Sequence, residues 1–260
     1  MVRLLLNHGA TANSEIGLGR TLLHQVASGQ CGFGYNGVRI TELLMEHGAD
    51  VNAQDRGNTT PLHLASYFGS VEISRTLLNH GASANAKRKL GRTPLHLVAE
   101  GKHGNDVLIT DLLLEHGADI HAQDKDNMTP LHLASYCGKV EISQVLLDCG
   151  ANASAKNALG LTPLHMVSQG TYHSHDDVGV AQLLLEHGAD VNAQDKNHAT
   201  PLDLALCHHR TEIAALLLHY SDKAIAKIDQ SPLAPPRQLR LEGMQFHDSN
   251  EHSSCPPKHI

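Results

Sequence analysis

The sequence predicts an all-α solenoid, a row of stacked helix–turn–helix layers joined by β-hairpin-like fingers. Three observations predict it. Thr-Pro-Leu-His recurs at Thr60, Thr93, Thr129 and Thr162, with variants "TLLH" at Thr21 and "TPLD" at Thr200. A Gly-Ala pair recurs in step, at Gly9, Gly48, Gly81, Gly117, Gly150 and Gly188. Aromatic residues make up only 3% of the 260 residues and Trp is absent, so no thick core of large rings is available. Many thin layers rich in Leu, Ala and Gly suit such a composition better.

Each element follows in order from its residues. The segment Thr60–Ala86 shares 19 of 27 positions with Thr129–Ala155, so the same layer is spelled twice. Thr caps free N–H groups and Pro accepts the first helical position, which starts a short helix, "TPLHLASYFG", ending at Gly69. In "SVEISRTLLNH" the residues Ile73 and Leu77, with Leu78 beside them, line one apolar side of a second helix. Gly81 is its left-handed stop. His8, His47, His80, His116 and His187 sit near these helix ends, where positive charge is favoured if it forms. A polar, turn-rich stretch such as "ADVNAQDRGNT" then reads as a finger leading to the next Thr-Pro. One unit cannot bury its own apolar side, but a row of units can.

The layers alternate. From the Thr marker to the Gly-Ala glycine is 21 residues at Thr60 and Thr129, but 27, 24 and 26 at Thr21, Thr93 and Thr162. The extra residues fall between the two helices. They read either as padding that a surface loop tolerates, the preferred reading, or as a dedicated edge. "VRLLLNHGA" at the start is a lone second helix with an open apolar flank, as expected of a truncated reading frame or a missing upstream domain. At the other end Asp203 replaces His and Ser221 takes the glycine position, as expected of a terminal layer.

The pattern TPLHLA…G…VEI…LL..HGADVNAQD resembles the ankyrin repeat, over residues 1 to about 228. Repeats are placed near residues 19, 58, 91, 127, 160 and 198, after a partial first one. The resemblance implies a curved solenoid that binds a partner protein through its fingers and first helices, with no catalysis and no cofactor. It implies that His24, His63, His96, His132 and His165 hydrogen-bond Thr and backbone between layers. Carried over by position, the partner-facing residues are Arg56, Gly57, Thr59, Tyr67 and Phe68; then Lys89, Leu90 and Arg92; then Lys125, Asp126, Met128, Tyr136 and Cys137; then Lys196, Asn197, Ala199, Cys207 and His208. Tyr67, Phe68, Met128 and Tyr136 stand out as side chains that interfaces prefer, although both tyrosines could instead pack between layers. The family's finger glycine is kept at Gly19, Gly91 and Gly160 but replaced by Asn58, Asn127 and His198, of which His tolerates the left-handed conformation least.

Other readings are set against this one. The formal charge of -7 argues against a general nucleic-acid surface. No apolar run reaches the ~18 residues a membrane span needs, and the apolar start is too short for a secretory signal. Five scattered cysteines without a CxxC spacing fit a reduced cytoplasmic setting, with the nucleus also compatible. "HSHDD" (His173, His175, Asp176, Asp177), with His208 and His209 one layer on, could hold a divalent ion, the basis of a remote metal-dependent enzyme alternative. "GFGYNG" satisfies GxGxxG but follows a helix, so it reads as a glycine loop. "KRKLGR" (Lys87–Arg92) is the one basic finger, either a solvated turn or a contact for an acidic partner. An alternative to a free-standing scaffold is the recognition arm of a larger assembly, such as a ubiquitin-ligase adaptor or a multidomain sensor. Residues 229–260, rich in Pro, read as a disordered tail.

Overall fold

A computed structural model describes residues 2–29, 36–101, 105–170 and 177–229. Thirteen α-helices lie among them. They are α1 (Val2–Asn7), α2 (Leu22–Ala27), α3 (Gly37–Glu46), α4 (Pro61–Tyr67), α5 (Val71–Asn79), α6 (Pro94–Glu100), α7 (Asp106–Glu115), α8 (Pro130–Tyr136), α9 (Val140–Asp148), α10 (Pro163–Gln169), α11 (Asp177–Glu186), α12 (Pro201–Cys207) and α13 (Thr211–Asp229). The even-numbered helices pack in one row, α2 to α12, and the odd-numbered helices from α3 to α13 pack in a second row behind them. This is the all-α solenoid the repeat predicts. Its apolar core runs continuously from Leu6 to Leu217 through small residues such as Ala65, Ala99 and Ala134, which let adjacent first helices approach closely.

The alternation of layers is visible in the second helices. In the short layers α5 and α9 span nine residues each; in the long layers α3, α7 and α11 span ten. Most of the "GFGYNG" loop and, in "HSHDD", His173, His175 and Asp176 lie outside the described residues, as does the Pro-rich tail from residue 230 onward. Gly81, at φ +85°, ends α5 in the left-handed conformation, where an L side chain is strained. Where Ser221 stands in place of that glycine no such stop is present, and α13 continues to Asp229.

Three side-chain and backbone ladders join the layers. Asn13, Asn52 and Asn85 each bridge the turn of the next layer: Asn52 Nδ2 donates to Gly81 O at 3.1 Å while Ser83 N donates to Asn52 Oδ1 at 2.8 Å. The fingers form the second ladder. Arg56 N donates to Leu18 O (2.9 Å), Lys89 N to Gly57 O (2.7 Å), Lys125 N to Leu90 O (2.9 Å), Ala158 N to Asp126 O (2.8 Å) and Lys196 N to Leu159 O (3.0 Å). The fingers are turns and not strands; an isolated bridge, Glu15 to Thr21, is the only β pairing among the described residues. His198, the residue least suited to the left-handed region, adopts it (φ 63°), as Asn58 and Asn127 do. Leu18 and Leu90 adopt it as well, which the sequence did not announce. Each precedes a left-handed glycine, and two such residues in succession make the tight turn that suits a hairpin.

The third ladder is histidine. The backbone N–H of Thr60 donates to His63 Nδ1 at 3.1 Å, so that nitrogen carries no proton. Nε2 is then the donor, and it reaches Arg92 O in the next layer at 3.1 Å. The same arrangement takes His24 to Thr59 O (2.9 Å), His96 to Met128 O (2.9 Å), His132 to Leu161 O (3.1 Å) and His165 to Ala199 O (3.0 Å). All five rings are fully buried. Burial holds each below the ordinary histidine pKa, His63 and His132 at about 4.

Candidate protein-binding surface

The residues expected to face a partner divide into three groups. Arg56, Lys89, Leu90, Lys125, Asp126, Lys196 and Asn197 are exposed on the fingers, and Tyr67 is 43% exposed at the end of α4. Gly57, Phe68, Tyr136, Cys137, Ala199, Cys207 and His208 are half-buried. Phe68 and Tyr136 pack against the core, so the second tyrosine serves the stack while the first stands clear of it. Tyr67 and Phe68 meet edge to face with centroids 5.2 Å apart.

The third group corrects the expectation. Thr59 and Met128 are buried, and Arg92 is only 22% exposed at its side chain. The residue before each Thr marker supplies the carbonyl that the preceding layer's histidine binds, which draws it into the stack. Met128 is therefore a core residue and not an exposed anchor. Arg92 is held between two carboxylates, Glu100 and Asp124, the latter at 3.3 Å.

The finger backbones are braced from within. Asp55 Oδ1 accepts from Gly57 N (2.8 Å) and Thr59 N (2.9 Å). Asp124, Asn157 and Asp195 repeat this at their own fingers. Burial alone would push the Asp55 carboxyl up, but the N–H groups of Thr59 and Gly57, with Arg20 at 3.1 Å, hold it below its ordinary value. Two finger starts carry no such oxygen; one is the apolar Ile16 and the other is Arg88. It cannot accept, and its buried Nε has no hydrogen-bond partner among the described residues.

Arg88 belongs to a hollow of about 360 Å³ lined by Arg20, Leu64, Tyr67, Phe68, Arg88, Leu97 and Glu100. The hollow lies between α4 and α6 beneath the fingers. Of its lining, the sequence singled out Tyr67 and Phe68 as contacts and Arg88 only as part of a basic finger. Aligning the six finger starts, Ile16, Asp55, Arg88, Asp124, Asn157 and Asp195, would have exposed the reversal of charge at Arg88. Two further charged pairs join long layers to the short layers after them: Lys139 Nζ to Asp106 Oδ2 at 3.0 Å, and Arg210 to Asp177, which binds that residue of the "HSHDD" run. Among the described residues no group of three or more His, Cys, Asp or Glu side chains is placed to hold a metal ion, and no helix is long and apolar enough to cross a membrane.

The family model for ankyrin repeats, which comprises three copies, matches three overlapping segments, residues 1–88, 80–157 and 146–229. No curated protein matches the chain significantly. With that model covering most of the chain, and with the stacked layers and histidine ladder in place, this chain belongs to the ankyrin-repeat family.

Proposed function

We propose that the chain is a non-catalytic scaffold that binds a partner protein on the side formed by its fingers and first helices. Ankyrin repeats are generally protein–protein interaction modules and typically have no enzymatic activity. One observation supports the more specific reading. The finger backbones are tied to one another by the ladder from Leu18 to Lys196, yet Arg56, Lys89, Lys125 and Lys196 at those same fingers are exposed. A rigid row that presents changeable side chains is preorganised for binding, because little order remains to be imposed on association.

The test is affinity capture with cross-linking, comparing the native chain with a variant carrying Tyr67→Ala, Lys125→Glu and Lys196→Glu. A control carries Glu72→Lys and Glu141→Lys, both on exposed positions of the second-helix row. Cross-links confined to the finger side, and a partner lost only from the first variant, support the reading. A partner lost only from the control overturns it.

A further inference from the structure

We propose that the hollow between α4 and α6 receives an aspartate or glutamate side chain of the partner, seated on Arg88 with an apolar neighbour against Tyr67 and Phe68. This rests on the protein-binding reading above and adds the chemistry of what is bound.

The argument begins with an internal comparison. Four fingers start with Asp55, Asp124, Asn157 and Asp195, whose side-chain oxygens brace the turn through two N–H groups each. The finger at Arg88 keeps the closing hydrogen bond, Arg88 N to Arg92 O at 3.0 Å, but takes a different turn, with Leu90 and Gly91 both left-handed as Leu18 and Gly19 are in the finger at Ile16, and it has no side-chain brace. The finger at Ile16 makes that turn with an apolar residue at its start, so the turn itself does not call for the half-buried cation at Arg88.

The neighbouring charges are already committed. Arg20 binds Asp55, and Arg92 holds Glu100. The Arg88 guanidinium has no ion-pair or hydrogen-bond partner among the described residues, and its Nε is buried. A buried donor without an acceptor is costly, and a carboxylate is the acceptor that matches the guanidinium fork. The single uncommitted positive charge beside Glu100 fits one carboxylate better than a doubly charged group. The rest of the lining is Leu64, Leu97, Tyr67 and Phe68, which suits an aliphatic or aromatic side chain next to that carboxylate.

The experiment is a selection of displayed random peptides on the full chain, followed by titration with synthetic copies. Selected peptides should share Asp or Glu beside an apolar residue. Replacing that acid by its amide, or making Arg88→Asp, should each weaken binding about tenfold or more, as loss of a charge-assisted hydrogen bond does. The two changes together should weaken it little further, since they remove one interaction. Arg88→Asp reverses the charge and Arg88→Gln is the neutral second variant; the thermal midpoint of each separates lost binding from lost folding. Binders without an acid, or binders indifferent to both Arg88 variants, overturn the proposal, as does a selection that yields none. So does binding that needs a free peptide C-terminus, tighter binding by residues 230–260 of this chain, or a dimer that Arg88→Asp dissolves. Binders that ignore Arg88 but are lost with Tyr67→Ala and Lys125→Glu leave the wider reading standing. Binders indifferent to those changes too remove both.

Discussion

Five layers of this solenoid start their first helix with a histidine three residues after the capping Thr, and the layer of α12 has Asp203 at that place. At the near end of the side chain the two residues do the same thing. His132 Nδ1 accepts from Thr129 N at 3.2 Å, and Asp203 Oδ2 accepts from Thr200 N at 2.8 Å. At the far end they differ. His132 reaches forward to Leu161 O, whereas Asp203 has no donor to offer and, among the described residues, no further first helix follows α12. Histidine is therefore a cap and a rivet in one side chain, and where only a cap is needed a shorter acid suffices. The burial follows the role: the five histidines are sealed by the next layer, while Asp203 is exposed.

Acid should break this difference most strongly. The neutral ring is the folded form, because Nδ1 already faces an N–H donor. Unfolded histidine titrates near 6.5, and folded His63 and His132 titrate at about 4. Between those values the unfolded chain binds more protons. The stability these rings contribute is full above about pH 6.5 and is lost as pH falls towards 4, by roughly 3 kcal/mol for each of the two. Denaturant midpoints measured from pH 7 to 4.5 should fall steadily; a midpoint unchanged across that window contradicts the ladder. Asp203, held low mainly by the Thr200 N–H, contributes nothing to that change until lower pH.

His132→Ala is the next largest. It leaves Thr129 N–H and Leu161 C=O buried without partners and opens a cavity, which together should cost about 3–5 kcal/mol in urea unfolding. The matched change at the end of the row, Asp203→Ala, removes an exposed cap and should cost about 1 kcal/mol. Equal losses at the two sites would show that the forward hydrogen bond adds nothing. Smallest of all, Asp203→His should shift stability by less than about 0.5 kcal/mol, because the ring keeps the cap and no following layer among the described residues offers it a carbonyl. A larger gain would mean that something past α12 accepts the bond.

Much of the architecture was legible beforehand because its signals are local and repeated. The Thr-Pro starts, the glycine stop at Gly81 and the apolar spacing of Ile73 and Leu77 act within one turn of the chain. The interlayer role of the histidines came with the family resemblance and is met by all five. The surface was less legible. Thr59 and Met128 look like finger residues in the sequence, and whether they are exposed depends on a carbonyl demanded by the layer before them. Tyr67 and Tyr136 occupy the same place in two nearly identical segments, yet one is exposed and the other half-buried. The layers before and after each are different, and those neighbours decide.

The sequence by itself determined the repeat, the starts of the first helices, the alternation of short and long layers, and the Thr cap at each first helix. Each of these is fixed by the conformational preferences and hydrogen bonds of residues a few positions apart. Only the tertiary structure decided which finger residues remain outside the stack, that Arg20 and Arg92 are spent on carboxylates, and that Arg88 is not. Those outcomes rest on contacts between residues some thirty positions apart, where one layer is pressed against the next.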